Sequence, residues 1–320
     1  MPYLLPANRI GSRVEGQGPP IVLLHSSMSS KSQWRELIDS LRDRYRLIAI
    51  DLLGYGESAL PSSLECYSLR DEVRLVESVL ARELRPGEKF HLIGHSYGGM
   101  VALQLAAQAQ PQLVRSLSLF EPIAFHLLPD RDPELAVVRQ VWRDIKDRVD
   151  GGDGHGAAMR FVDYWSGVGA FAQLREERQL VLAAQVSKVL LELVAVSSGA
   201  SNATAYRGIE VPTCLVGGLW SPEPAQRLMS MFASLLPHAS CFEVEAGHMA
   251  PITHPQLVNP ILEEFILAVD ASEHHAAAAG IVRFSERASV VRGQGWSRAV
   301  AFGLLGLALS VAPRFAIFSR

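Results

Sequence analysis

Between Phe90 and Gln110 the chain passes without a spacer from an apolar run, Phe90-His91-Leu92-Ile93, through Gly94-His95-Ser96-Tyr97-Gly98-Gly99, into an alanine-rich stretch that favours helix. Gly-x-Ser-x-Gly alone is short enough to arise by chance, but strand, sharp turn and helix in that order describe a nucleophile elbow. Glycines flank the serine because a Cβ at either place would collide with the neighbouring strand or helix. The expected result is a Ser96 hydroxyl exposed at the carboxyl edge of a sheet.

The rest of the chain supplies such a sheet. Ile21 to Leu24, ending at His25, and Arg46 to Ile50, ending at Asp51, are apolar runs of the kind that form strands buried on both faces. Between them Trp34, Leu37, Ile38 and Leu41 recur at helical spacing. Strand, helix and strand in sequence predict a parallel sheet. The alternation continues through a helix over about Leu69 to Leu84, the Phe90 to Ile93 strand, a helix closed by Pro111, and a strand from Leu117 to Phe120. It then stops. From about Pro122 to Arg207 the pattern is helical, with Leu135, Val138, Trp142, Ile145 and Val149 on one stripe, a glycine-rich loop at Gly151 to Gly156, and apolar-periodic segments to Val196. A strand at Thr213 to Val216, a helix near Ala225 to Leu236, a strand at Ser240 to Val244 and a helix over Pro255 to Val269 complete the expected core. The predicted organisation is a core first half at 1–121, a helical lid at 122–207, a core second half at 208–270, and an extension at 271–320.

Of the 320 residues 48% are hydrophobic, enough for a large buried core, and the formal charge of −3 offers no basic face for nucleic acid. Cys66, Cys214 and Cys241 are odd in number and far apart, which implies neither a disulfide framework nor a zinc site. The start, Met1 to Pro6, lacks a basic segment followed by a sustained apolar one, so the expectation is a cytoplasmic protein with reduced thiols, and Asn202-Ala203-Thr204 reads as a loop tripeptide. His155 and the His274-His275 pair have no companions at metal-ligand spacing, and Gly151 to Gly156 lacks the Lys-Ser/Thr and preceding strand of a phosphate loop. Neither metal nor cofactor is implied. In the extension, arginines precede an uncharged run of 15 residues, Ala299 to Pro313, shorter than the roughly 20 residues needed to span a bilayer. An interfacial helix giving membrane contact, a helix docked on the core, and a poorly ordered tail are the three readings.

A serine hydroxyl is a weak nucleophile that needs a base, an acid to orient the base, and donors for the oxyanion. His248, in Glu245-Ala246-Gly247-His248-Met249 after the last strand, falls on a loop at the carboxyl edge and is the expected base; His254, before Pro255, reads as a cap or surface residue. Glu121, directly after the Leu117 to Phe120 strand, emerges at the same edge one strand beyond the nucleophile and is the preferred acid. Glu223, between two prolines, is the alternative. Asp51, with Gly54 and Gly56, reads as a turn former.

His25-Ser26, Asp51-Leu-Leu-Gly-Tyr-Gly-Glu-Ser58, the elbow and Gly247-His248 together resemble the α/β-hydrolase family over roughly Pro19 to Val269. That resemblance implies a mostly parallel sheet with helices on both faces and an inserted lid. It also implies an oxyanion hole from the backbone N–H of Tyr97 and of Ser27, with Met28 as the alternative to Ser27. Two residues depart from the family pattern: Ser26 replaces the usual glycine after His25, and Trp220 occupies the usual place of the acid. Some members, haloalkane dehalogenases among them, carry a glutamate at the position of Glu121. A serine nucleophile excludes the alkyl-enzyme chemistry of the aspartate-dependent branches and predicts an acyl-enzyme, hence hydrolysis of a small carboxylic ester or thioester. Carbon–carbon bond hydrolysis, lactone opening and cofactor-free perhydrolysis use much the same groups, and a non-catalytic binding protein on this fold is the competing class. His25, Met28, Trp220 and Trp165 are the expected pocket residues. The lid aromatics Trp142, Phe161, Tyr164, Trp165 and Phe171 suit a hydrophobic substrate or the seam between lid and core.

Overall fold

The computed structural model describes residues 9–61, 64–108, 112–199 and 202–279. Seven strands form one sheet: β1 (Ser12–Glu15), β2 (Pro20–Leu24), β3 (Arg46–Ile50), β4 (Phe90–His95), β5 (Val114–Phe120), β6 (Thr213–Gly218) and β7 (Ala239–Val244), in the order β1-β3-β2-β4-β5-β6-β7. From β3 to β7 every neighbour is parallel, and β1 alone is antiparallel, pairing Ser12 with Ile50 at the edge. The β1 sequence, Ser-Arg-Val-Glu, carries only one apolar residue, so no hydrophobic pattern announces it.

Along β2 the side chains alternate between two cores. Ile21 and Leu23 pack with Leu37 and Leu41 of α1 (Arg35–Leu41), whereas Val22 and Leu24 pack with Val73 and Val76 of α2 (Leu69–Glu83). That is the period of two of a strand covered on both faces. α3 (Tyr97–Gln108) lies on the same side as α2, and the expected stop at Pro111 lies outside the described residues.

Between β5 and β6 the chain makes four helices: α4 (Pro133–Asp150), α5 (Gly154–Ser166), α6 (Glu176–Gly199) and α7 (Ala203–Arg207). The glycine-rich stretch is shorter as a loop than the sequence suggests, because Asp153 caps Gly156 N–H and α5 begins at Gly154. Asn202 likewise caps Ala205 N–H, so Asn202-Ala203-Thr204 starts a helix where a loop was expected. By length and hydropathy α6 is able to cross a membrane. Its only charged residues after Arg178, Lys188 and Glu192, are nevertheless buried.

After β6 come α8 (Glu223–Leu235), β7, α9 (Ala250–Thr253) and α10 (Pro255–Ala279). The helix expected to stop near Val269 runs on through Ala279 with no break at 270, and the remainder of the extension, 280–320, lies outside the described residues. Asp270, the first residue past that expected end, is tied to the sheet. Its carboxylate accepts Tyr45 Oη–H at 2.8 Å, Arg115 Nη1–H at 2.9 Å and His91 Nε2–H at 3.2 Å, while His91 Nδ1 meets Ser116 Oγ at 2.7 Å. Ser116, His91 and Asp270 thus form a serine, histidine and carboxylate chain, but Ser116 is fully buried, and the chain clamps α10 to the sheet.

Burial pushes the Asp270 pKa up, but the bonds from His91 and Tyr45 and the positive charges outweigh it and hold the carboxyl at about 2. Because the folded value is depressed, its stabilisation is full above the unfolded carboxyl value of about 4 and is lost as pH falls through about 2. Asp270→Asn is therefore expected to lower stability by about 2 kcal/mol at pH 7 in urea unfolding, with the gap to the unsubstituted protein closing between about pH 4 and pH 2.

Candidate active site

Three strand ends meet at one edge of the sheet. β4 ends at His95 and hands the chain to α3 through Ser96, whose φ is 55°. A Cβ on Gly94 would lie 2.5 Å from Gly98 O, and one on Gly98 would lie 2.4 Å from His25 O and 2.5 Å from Leu24 O. Backbone cannot yield as a side chain can, so these two positions require glycine. The same closeness seats the elbow against the loop that follows β2. Glu121, the residue directly after β5, has φ 42°, and the β2 loop contains Met28, with φ 55°. Among the described residues these three are the non-glycine residues with positive φ, and all of them stand at this edge. Such backbone costs roughly 1–3 kcal/mol each and persists only where the surroundings enforce it.

His248 joins the strand ends. Its Nδ1–H donates to Glu121 Oε2 at 2.6 Å, and its Nε2 lies 2.9 Å from Ser96 Oγ. Gly218 N–H donates to the other Glu121 oxygen at 2.6 Å. A carboxylate on Nδ1 leaves the Nε2 lone pair facing the serine hydroxyl. Two aromatic groups fix the imidazole further: Trp165 of α5 stacks on it with centroids 3.9 Å apart, and His95 Nε2–H donates to His248 O at 2.8 Å. Burial and the nearby imidazole of His248 hold the His95 pKa well below its ordinary value, so it serves as a neutral donor.

Tyr97 is the first residue of α3, whose N–H has no acceptor within the helix. Among the described residues no backbone acceptor takes the Ser27 N–H. The cavity above Ser96 is lined by Ser27, Ile123, Trp142, Phe161, Trp165, Val189, Glu192 and Leu193. Its space open to water is about 10 Å³, room for one solvent molecule.

Three of the four expected pocket residues do not line this cavity. His25 is fully buried, with Nδ1–H donating to Ser26 O at 2.7 Å and Nε2 accepting Leu52 N–H at 3.0 Å; burial lowers its pKa to about 4, and it holds two loops together as a neutral ring. The Met28 side chain packs in the core, and its carbonyl accepts Arg178 Nη2–H at 2.8 Å. Trp220 is 68% exposed, because β6 runs two residues further than expected and its N–H is spent on Ala246 O, turning the indole to solvent. Trp165 lines the cavity. Of the alternatives, Glu223 begins α8 and faces Glu134, and His254 bonds Thr253 at the end of α9. Asp51 is buried and accepts Lys31 N–H and Glu57 N–H, which is a turn.

Glu192 and His95 were not anticipated. The available signals were a Lys188/Glu192 pair four apart in an otherwise uncharged stretch of α6, and a polar residue inside an apolar strand.

A model described as the alpha/beta hydrolase family matches residues 21–261. Curated relatives match over shorter stretches. A probable lysophospholipase, BODYGUARD 2 of Arabidopsis thaliana, is 34% identical over 38% of this chain and 26% of its own length. A haloalkane dehalogenase of Agrobacterium fabrum is 35% identical over 39% of this chain and 40% of its own. The chain thus spans less than half of the length of these relatives. Among solved structures, a hydrolase from Pseudomonas aeruginosa superposes with a TM-score of 0.67 at 22% identity, covering 80% of this chain and 94% of that one. A thermophilic esterase from Thermogutta terrifontis gives 0.66 at 21%, covering 81% and 93%. At these identities the likeness is one of fold.

Gly98→Ala tests the packing of the elbow. The new Cβ meets two carbonyl oxygens that cannot move independently, so the substitution is expected to cost about 3 kcal/mol of stability, read by thermal or urea unfolding.

Proposed function

The chain belongs to the alpha/beta hydrolase family, and from that premise we propose that it is a serine hydrolase acting on a small carboxylic ester or thioester. One observation carries the reading: His248 bonds Ser96 through one ring nitrogen and Glu121 through the other. In the proposed reaction Ser96 Oγ attacks the carbonyl carbon while His248 Nε2 takes its proton. The carbonyl oxygen becomes an oxyanion held by the N–H groups of Tyr97 and Ser27. Collapse of the tetrahedral intermediate breaks the ester or thioester bond, and the imidazolium gives its proton to the departing oxygen or sulfur. Water, deprotonated by the same imidazole, then attacks the acyl-enzyme and releases the acid. Glu121 fixes the tautomer and stabilises the imidazolium.

The cavity supports an apolar acyl group. Ile123, Trp142, Phe161, Trp165, Val189 and Leu193 offer hydrocarbon and aromatic surface, as small-molecule pockets generally do. Its small free volume favours short acyl chains. The non-catalytic reading drew its support from Trp220 in the usual place of the acid. Glu121 on His248 Nδ1 supports the catalytic reading instead.

Purified protein is expected to release p-nitrophenol from p-nitrophenyl butyrate, and Ser96→Ala to remove that activity; equal rates for the two would sink the proposal. Glu121→Gln is expected to lower kcat by a factor on the order of 10³ to 10⁴ while Glu223→Gln leaves it within about twofold. Loss in the Glu223 variant alone would transfer the acid role to that residue.

A further inference from the structure

A fully buried group of charges lies beside the proposed site and takes no part in proton transfer. Lys188 Nζ of α6 donates to Glu192 Oε1 at 3.0 Å, to Glu72 Oε1 at 3.2 Å and to Tyr67 Oη at 2.8 Å. Its ammonium also lies 4.5 to 5.2 Å from the ring centroids of Tyr55, Tyr67 and Tyr97, a cage of three aromatic faces. Tyr67 spends its single proton on Glu72, so at the 2.5 Å contact between the two phenols Tyr97 donates and Tyr67 accepts. On the other side Ser27 Oγ–H donates to Glu192 Oε2 at 2.6 Å.

The two ends of this chain of bonds are the side chains of Ser27 and Tyr97, whose backbone N–H groups are the proposed oxyanion donors. One lies on the loop after β2 and the other begins α3, and the bonds between their side chains run through the lid helix, in the order Ser27, Glu192, Lys188, Tyr67, Tyr97. A second tie runs in the same direction, from Arg178 of α6 to Met28 O, one residue beyond Ser27. Stability alone does not account for the cluster. Two buried carboxylates and one ammonium are costly to desolvate, and apolar residues of similar volume commonly serve a fold as well or better. Burial raises the Glu192 pKa, and the charge of Lys188 and the Ser27 bond act against that rise.

We propose that Lys188 and Glu192 of the lid are positioning residues that assemble the oxyanion hole, by binding the side chains of both its donor residues into one buried network. The inference rests on the serine hydrolase reading and adds to it that the lid helix sets the geometry of the hole. Positions shift by tenths of an ångström when such a bond is lost, and stabilisation aimed at a developing charge falls steeply with misplacement. The loss therefore appears in the transition state and not in substrate binding.

The test uses the full chain and two substitutions that each remove one hydroxyl, Ser27→Ala and Tyr97→Phe, alone and combined, together with Glu192→Leu and Lys188→Met. Leu180→Ser, on the exposed face of α6, is the control. Turnover of p-nitrophenyl butyrate gives kcat and KM. The inhibition constant of butylboronic acid, whose serine adduct is tetrahedral, reports the hole directly. The expected result is a fall in kcat of tenfold or more for Ser27→Ala and for Tyr97→Phe, with KM within about threefold. Boronate affinity should weaken in proportion, and the combined variant should lose less than the product of the single losses because both cut one network. The control should match the unsubstituted protein. Single hydroxyl variants that keep kcat and boronate affinity within twofold overturn the proposal, even if Lys188→Met or Glu192→Leu fails to fold. An unsubstituted protein that neither turns over the ester nor is labelled at Ser96 by a fluorophosphonate overturns the hydrolase reading as well, which separates the two failures.

Discussion

The bond between His248 and Glu121 is the contact on which the carboxyl edge depends. An imidazole near a serine is only a polar neighbour until something decides which nitrogen carries the proton, and here a carboxylate on Nδ1 decides it. Glu121 reaches that place because its own backbone, directly after β5, takes φ 42° and turns the side chain back across the ends of the strands, and because Gly218 N–H holds its second oxygen. Ser96, directly after β4, and Met28, in the loop after β2, take the same unusual backbone region. Strain gathered beyond three neighbouring strands persists only over a sheet packed on both faces. The continuous apolar runs of β2, β3 and β4 provide that, each with α-helices above and below.

Much of this was legible because it rests on local chemistry. Gly94 and Gly98 mark the elbow, since nothing larger fits at Gly94 against the Gly98 carbonyl or at Gly98 against the carbonyls of Leu24 and His25. Glu121 was legible because a residue directly after a central parallel strand has one edge at which to emerge. What the sequence hid depends on long-range packing. β1 has no apolar pattern and is defined by pairing with β3. His25, Met28 and Trp220 all stand close in sequence to the edge, but which way a loop side chain turns is decided by its partners. Both nitrogens of His25 are taken by backbone, and the extra residues of β6 turn Trp220 outward. The Asp270 clamp, just past the expected end of α10, joins residues 179 positions apart.

The lid helix α6 carries its two central charges, Lys188 and Glu192, on the face that also buries Leu182, Val186, Val189 and Val196. Hydrophobic patterning places the apolar residues of that face inside, and the partners brought by the β2 loop, α2 and α3 accommodate the two charges. For the proposed hydrolase this arrangement constrains how a substrate would enter. The cavity holds about one water molecule, so some wall has to yield. On the α6 side, yielding would break a buried ionic network and leave charges without partners, at a cost of several kcal/mol. On the α4 and α5 side the cavity meets Trp142, Phe161 and Trp165, which contact one another and His248 through ring faces and edges. Aromatic contacts of that kind are worth about 1 kcal/mol each beyond burial and reform after sliding. For the proposed hydrolase the economical opening is therefore one that moves the aromatic wall and keeps α6 in place, so that a substrate would pass in beside Trp165 while Ser27 and Tyr97 stay bound to the lid.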